Sequence, residues 1–195
     1  AALVDVQEIQ LNPTLLVGSP VIISETVRGQ GAVFVNREGK RFIQELATRD
    51  VTSAAVSKQT GGTAFEIFDD GVRERVAQLK AAFELGLAKE GDTLEELGRL
   101  AGFSPEFANE IKTYNTAVDT KKDPFGKPAE FLKFGVKEGP FYAMRAKVVS
   151  LSTLGGVRVN ENMQALDANY KTIPGLYVVG NNASGFYSAP SYPPY

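Results

Sequence analysis

The chain of 195 residues contains no histidine, no cysteine and no tryptophan. Without histidine it lacks the commonest general base, the usual zinc ligand and every histidine-containing catalytic triad. Without cysteine it forms neither disulfide bonds nor thiolate nucleophiles, and its cellular compartment stays open. Acid–base chemistry must therefore fall to carboxylates, tyrosines or arginines, and no metal site is predicted.

Two further absences narrow the classes of partner. The 21 Lys and Arg residues nearly balance the 23 Asp and Glu residues, for a net charge of -2, so the basic surplus of a nucleic-acid-binding surface is missing. No apolar run approaches the roughly 20 residues that span a bilayer. We therefore expect no nucleic acid partner and no membrane span. The 43% hydrophobic content predicts a folded chain with one core, or one domain and part of a second.

The most informative stretch covers residues 24–50. Its apolar run, residues 32–35, is short, rich in valine and next to glycine, which predicts a buried strand. Charged residues surround this run, among them Arg28, Arg41, Arg49, Glu25, Glu38 and Glu45. Such a cluster is either a salt-bridged surface or a polar site, and composition alone favours the surface, because most charge clusters are solvated.

The remaining pattern predicts strands near both ends of the chain and helices in the middle. The predicted strands cover residues 4–11, 63–68, 141–149, 157–160, 164–167 and 176–179. The first is expected to end in a turn at Asn12-Pro13. A short helix is predicted over residues 51–58, and residues 72–122 have a helical pattern throughout. This arrangement favours an α+β class over alternating βαβ units.

Two helix starts stand out in the middle of the chain. Asp92 and Glu95 have the spacing of a capping box, which predicts a helix ending near Gly102. Ser104-Pro105 has the residue types of an N-cap and a first helical position. The helix that follows places an apolar stripe on one face, which we interpret as core: Phe107, Ile111, Tyr114 and Val118.

The pattern in residues 28–50 resembles the fumarate reductase/succinate dehydrogenase flavoprotein family, especially its soluble fumarate reductases. It reads R-G-x-G-A-x-x-V-N-x-x-G-x-R-F-x-x-E-x-x-T-R-D. The resemblance implies that Arg49, in the T-R-D step, protonates the substrate. It also implies that Glu25 and Arg28 relay protons to Arg49, so these three residues are predicted to be catalytic.

The same resemblance implies a domain organisation. Residues 8–150 resemble the family's capping, or catalytic, domain, inserted into an FAD-binding domain. Residues 1–7 would end a strand of that FAD-binding domain, and residues 151–195 would be its incomplete C-terminal segment. No G-x-G-x-x-G follows a strand here. We therefore expect a fragment whose partner is the remainder of the FAD-binding domain, and which is inactive when isolated.

FAD is the cofactor that the resemblance implies. Thr153, Gly155 and Gly156 resemble the family's H-T-x-G-G turn, where backbone N–H groups could stabilise reduced flavin. An ordinary hairpin turn is the alternative for this Gly-Gly step. Gly180 and Asn181 follow a parallel-type strand, I-P-G-L-Y-V-V-G, at the position that resembles the ribityl and phosphate region.

The substrate-binding positions depart from fumarate reductases. The family's H-P-T step is represented by Asn12-Pro13-Thr14, and Ser152 stands where the second histidine is expected. Thr14 and Ser24 are also predicted to bind substrate. The family's second arginine, in an N-R-L-G-G-N run, is absent from residues 189–195. Losing these groups should greatly weaken the binding of a second carboxylate, so fumarate is not the expected substrate.

The C-terminal end is aromatic instead. Tyr192, before a proline, resembles the corresponding end of flavin-dependent ketosteroid dehydrogenases, where a tyrosine hydroxyl polarises a ketone. A hydrophobic wall is the alternative role for this residue.

The resemblance thus implies an FAD-dependent oxidoreductase that reduces the C=C bond of an α,β-unsaturated acid or ketone. Flavin N5 would deliver hydride, and Arg49 the proton. The alternatives are a ketosteroid-type dehydrogenase, acting in the opposite direction, and a catalytically silent isolated cap module. The electron donor is not predicted.

Overall fold

A computed structural model describes residues 1–184, and Tyr192 lies outside them. The chain forms two compact units. The first contains Ala1–Asn12, Thr48–Asp50 and the described residues from Val149 onward, and the second contains Pro13–Ala47 and Val51–Val148. In residues 1–184 no helix is both long and apolar enough to cross a bilayer.

Helices and strands are mixed along the described chain, as the sequence predicts. The strands are β1 Leu3–Val4, β2 Ile9–Leu16, β3 Val33–Val35, β4 Thr63–Asp69, β5 Ala88–Gly91, β6 Phe141–Thr153, β7 Gly156–Arg158, β8 Gln164–Leu166, β9 Thr172–Tyr177 and β10 Ala183–Ser184. The α-helices are α1 Glu25–Gly29, α2 Arg49–Ser57, α3 Asp70–Arg75, α4 Lys80–Glu84, α5 Leu94–Ala101 and α6 Phe107–Thr120. Short 3₁₀ turns cover Thr60–Gly62, Ala77–Leu79, Ala129–Phe131 and Gly180–Asn182.

A five-stranded sheet organises the second unit. Its order is β2-β6-β4-β3, and β5 also pairs with β6. Strand β4 is buried along its whole length, and its alternation gives the sheet two different faces. Phe65 and Ile67 face one core, which α5 and α6 cover with the predicted stripe from Phe107 to Val118. Phe68 belongs to a second core, with residues of α1 and α3.

The first unit is built from shorter pairings. Strand β7 lies between β1, which is antiparallel to it, and β10, which is parallel. Strands β8 and β9 form an antiparallel hairpin. The prediction of a parallel-type strand before Gly180 is therefore wrong within the described residues: β9 pairs antiparallel and ends at Tyr177, earlier than predicted.

The N-terminal strand prediction is wrong in two respects. Residues 4–11 are shared between β1 and β2, and β2 continues through Pro13 to Leu16 rather than turning at Asn12-Pro13. Strand β2 is at the edge of the sheet order, where the missing N–H of a proline removes no obligatory ladder bond. A proline is a turn signal in sequence, but at an edge it is compatible with a strand.

The helical middle is interrupted by β5, which the sequence pattern did not predict. Gly86, with a φ of +66°, follows the end of α4. The four residues of β5 then pair with β6, from Ala88 opposite Met144 to Gly91 opposite Phe141. Because β5 is short and largely exposed, only this long-range pairing marks it as a strand.

The two predicted helix starts are each displaced. Thr93, not Asp92, caps α5: its hydroxyl accepts a hydrogen bond from the Glu96 N–H, and a Glu96 oxygen accepts from the Asp92 N–H. Helix α6 begins at Phe107, later than Ser104-Pro105. Helix α5 ends where predicted, at Ala101, with the left-handed Gly102 as its C-cap.

Candidate active site: a buried arginine between carboxylates

Arg28 is a fully enclosed cation in the second unit. Its residue exposure is 2%, although it lies on the short helix α1. Each part of its guanidinium has a partner: Nη1 lies 2.8 Å from Oε1 of Glu66, and Nε donates to the backbone oxygen of Glu45 at 2.9 Å. The guanidinium carbon also lies 5.0 Å from the ring centroid of Phe34. These contacts fix the orientation of the group.

Glu25 contacts the remaining nitrogen of Arg28. The two residues are three apart on α1, a spacing that places them on one helix face, and Oε1 of Glu25 lies 4.0 Å from Nη2 of Arg28. The Glu25 side chain is 37% exposed while that of Arg28 is 1% exposed. The structure therefore brings together the two predicted relay residues, with one carboxylate that reaches solvent beside a cation that does not.

Glu66 is the residue that sequence reasoning missed. It lies in the middle of β4, opposite Phe34 of β3 and Met144 of β6, and its side chain is fully buried. Desolvation by burial raises the pKa of Glu66, and the charge and hydrogen bond of Arg28 act against that rise. A single glutamate inside the buried run T-A-F-E-I-F-D is the signal that could have revealed it, since an unpaired carboxylate there would be costly.

Two other charged residues of the motif, Arg41 and Glu45, belong to a second buried network. Arg41 contacts Glu45 through Nε at 2.8 Å and Asp123 through Nη1 at 2.7 Å. Lys127 lies 2.8 Å from the other oxygen of Glu45, and Arg41 stacks over the ring of Tyr114, 4.6 Å from its centroid. The interpretation of the cluster as a salt-bridged surface is therefore wrong for Arg41 and Glu45, which are buried, whereas Glu38 is exposed. Arg41 and Glu45 hold the motif together from inside.

Arg49 is the first residue of α2 and is half-buried. It belongs to the first unit, whereas Glu25 and Arg28 belong to the second. The partial positive charge at a helix N-terminus disfavours a cation at this position, and Asp50 supplies an acid in the same turn. The stability of the helix therefore does not favour an arginine at this position.

The predicted substrate-binding residues are divided between the units. Thr14 and Ser24 lie close together in the second: the Thr14 hydroxyl donates to the Ile23 backbone oxygen, and the Ser24 hydroxyl bonds Gln78 at 2.5 Å. Asn12 and Ser152 are in the first. Asn12 is buried, and the half-buried Ser152 donates to the backbone oxygen of Thr153 at 3.0 Å.

The Gly-Gly step of the first unit is explained by internal packing. A Cβ on Gly155 would lie 2.0 Å from the backbone oxygen of Asp5, and one on Gly156 would lie 2.3 Å from that of Asn182. Real Cβ atoms do not approach backbone so closely, so only glycine fits at either position. The role of these two glycines at a cofactor stays a prediction.

Thr153, Gly180 and Asn181 form one exposed polar surface in this unit. The Thr153 hydroxyl donates to the Asn181 backbone oxygen at 3.2 Å, which joins the two segments predicted to contact FAD. Gly180 has a φ of +65° and open space where a Cβ would stand, so bulky cofactor atoms could approach its backbone. These residues fit a role as one edge of an FAD site.

Comparisons with known proteins identify the family of the chain. A family model described as an FAD binding domain matches residues 1–190. The fumarate reductase (cytochrome) of Shewanella frigidimarina is 40% identical over 190 residues, which are 96% of this chain and 33% of that protein. A solved structure of the open conformation of a flavocytochrome c3 fumarate reductase superposes with a TM-score of 0.77 at 35% identity, covering 95% of this chain and 33% of that one.

More distant relatives have other substrates in their names. The NADH:acrylate oxidoreductase of Vibrio harveyi is 33% identical and matches 96% of this chain and 19% of its own length. The vinyl phenol reductase of Lactiplantibacillus plantarum is 30% identical and matches 83% of this chain and 38% of its own length. This chain spans about a third of the length of the fumarate reductases it matches. It belongs to the FAD binding domain family, and over nearly its whole length it is similar to fumarate reductase flavoproteins.

Proposed function

We propose that this chain is the catalytic part of an FAD-dependent oxidoreductase that reduces the C=C bond of an α,β-unsaturated acid or ketone. The second unit, close to residues 8–150, would be the capping domain, and the first unit would belong to the FAD-binding domain. The observation that carries this proposal is the Glu25–Arg28 pair, in which a partly exposed carboxylate lies 4.0 Å from a buried, fully oriented guanidinium.

Arg49 is the proposed proton donor to substrate. A guanidinium stays protonated in water and is a poor acid there, so it can serve only where solvent is excluded and a relay reprotonates it at once. Glu25 can exchange protons with solvent because it is partly exposed, and Arg28 stabilises its ionised form. Together they supply the proton that Arg49 gives up.

Bound FAD supplies the hydride, at flavin N5. Thr153, Gly180 and Asn181 are the residues of this chain that we propose to contact it, through the exposed hydroxyl and backbone groups described above. The remainder of the FAD-binding domain, outside this chain, would complete the site.

We propose that the substrate is bulkier or less charged than fumarate. Asn12 and Ser152 are neutral where histidines are expected, so they offer hydrogen bonds but no cationic partner for a second carboxylate. The relative named for vinyl phenol, a compound without a carboxylate, supports a substrate that is less charged than fumarate.

The test is a comparison of kcat/KM values for the intact enzyme, reduced by an artificial viologen donor. Fumarate, a monocarboxylic enoate and an α,β-unsaturated ketone are offered in turn. We expect the enoate or the ketone to be reduced with a kcat/KM at least about tenfold above that of fumarate, since one lost charge-assisted contact is worth about 1.5–3 kcal/mol. Preference for fumarate would overturn the substrate assignment, and oxidation of a saturated ketone without any alkene reduction would favour the ketosteroid-type dehydrogenase.

Titration of the 195-residue chain with FAD separates this proposal from a silent cap module. A bound-flavin absorbance spectrum would mean that the cofactor site forms on this chain. No binding would mean that the catalytic claims apply only to the intact enzyme.

A further inference from the structure

We propose that Glu66 is a positioning residue of the proton relay, which orients Arg28 so that its Nη2 faces Glu25. The inference rests on the proposed function and extends it to a residue outside the motif. It follows from the contacts that Glu25, Glu45 and Glu66 make with the guanidinium of Arg28.

The three polar edges of Arg28 have different partners. Nη1 is held by Glu66 at 2.8 Å and Nε by the backbone oxygen of Glu45 at 2.9 Å. A planar guanidinium with two of its three nitrogens fixed has no rotational freedom left. Nη2 therefore points in one direction, toward the carboxylate of Glu25 at 4.0 Å.

Glu66 is placed more rigidly than Glu25. Its backbone is hydrogen-bonded within β4, between Phe34 and Met144, and its side chain is completely buried. Glu25, on a helix of five residues, is 37% exposed. The strand thus supplies the fixed anchor, and the helix supplies the carboxylate that can exchange protons with solvent.

Stability does not explain the burial of this pair. Replacing a buried ion pair with apolar residues is often neutral or stabilising, and the residues opposite Glu66 on the neighbouring strands, Phe34 and Met144, are apolar. In addition, Oε2 of Glu66 has no hydrogen-bond partner among residues 1–184. A carboxylate with one satisfied oxygen is a costly way to fill a strand interior, which is consistent with a role toward Arg28.

The charged groups that act on Glu66 are Arg28, Glu25 and Glu45. Removing the negative charge of Glu66 removes a like charge from the surroundings of Glu25, which favours the ionised form of Glu25. A positioning role therefore predicts two effects together: slower proton supply and a displaced pH profile.

The test is Glu66→Gln in the intact enzyme, with Glu90→Gln on the exposed part of β5 as the matched control. Glutamine has nearly the same shape but carries no charge, so the charge-assisted bond that holds Nη1 of Arg28 is weakened. We expect kcat to fall by about tenfold or more with flavin content unchanged, since positioned proton transfer contributes roughly 10²–10⁴-fold. The limb of the pH–kcat profile that reports Glu25 should move to lower pH in this variant alone. An unchanged profile and kcat, with normal flavin content, would overturn the inference.

A double variant keeps the test decisive if Glu66→Gln fails to fold. Glu66→Gln combined with Arg28→Met removes both charges of the buried pair. If Glu66 acts only through Arg28, the double variant should turn over at the rate of Arg28→Met alone, because residues that act as a unit are not additive. A further loss of about tenfold in the double variant would contradict the proposal.

The two proposals fail in different ways. Normal turnover of an Arg49→Lys variant would refute the proposed function itself. Loss of turnover in that variant, with Glu66→Gln indistinguishable from Glu90→Gln, would refute only the role of Glu66.

Discussion

Lys127→Met is the substitution that measures the buried network around Glu45 most cleanly. The Lys127 side chain is fully buried, and its ammonium lies 2.8 Å from Glu45 Oε2 and 3.4 Å from the Tyr114 hydroxyl. Methionine has a similar length and volume, so the change removes the charge while leaving little cavity.

The expected loss can be worked out from what Glu45 keeps. Breaking a buried pair costs about 3–5 kcal/mol when the remaining charge is left uncompensated. Here Arg41 still contacts Glu45 at 2.8 and 3.1 Å, so the loss should approach that of one charge-assisted hydrogen bond, about 1.5–3 kcal/mol. For a chain of this size that is a decrease in Tm of about 3–12 °C.

The assay is thermal unfolding of the two purified variants, followed by circular dichroism. Lys80→Met is the matched control: it removes the same charge from a lysine–glutamate pair, Lys80–Glu84, whose side chains are 80% and 65% exposed. Exposed pairs of this kind contribute little, so its Tm should stay close to that of the unmodified chain. Equal Tm values for the two variants would refute the claim that the interior network holds the motif.

Two further predictions concern pH and close packing. Burial alone would raise the pKa of Asp123, but hydrogen bonds and charge from Arg41 hold it below its ordinary value of 3.8. A carboxylate whose pKa is lower in the folded than in the unfolded chain stabilises the fold at pH values above its unfolded pKa. That stabilisation is lost as the pH falls through its folded pKa. The stability deficit of Asp123→Asn, measured in urea, should therefore be full at pH 7 and shrink below about pH 4; a deficit that is constant with pH would contradict this. Gly156→Ala places a Cβ 2.3 Å from the Asn182 backbone oxygen and should unfold the first unit. Gly29→Ala is the control and should be tolerated, because no atom lies within 4 Å of the added Cβ. Limited proteolysis compares the two variants, and equal resistance to cleavage would refute the packing argument.

The sequence predicted those helices and strands that are marked by a short apolar run or a periodic apolar pattern. The strand in residues 32–35, the strand before Asp69 and the apolar face of α6 were each marked by a run or a period, and each is present. Strand β5 and the passage of β2 through Pro13 could not be predicted, because both depend on which strand lies alongside.

The same division applies to the candidate site. The motif predicted Glu25 and Arg28, and these two are adjacent because α1 places residues three apart on one face. Glu66 and Asp123 lie 38 and 82 residues away from their arginine partners. Their roles depend on strand register and loop packing, so the motif alone could not identify them.

The measurement that tests the central claim most directly is turnover of an Arg49→Lys variant of the intact enzyme, assayed for C=C reduction with its flavin spectrum recorded alongside. Arg99→Lys, on an exposed pair with Glu96, is the matched control. The account predicts that Arg49→Lys retains flavin and loses about a hundredfold or more in kcat, while the control keeps its activity. Turnover of Arg49→Lys within a few-fold of the control would contradict Arg49 as the proton donor.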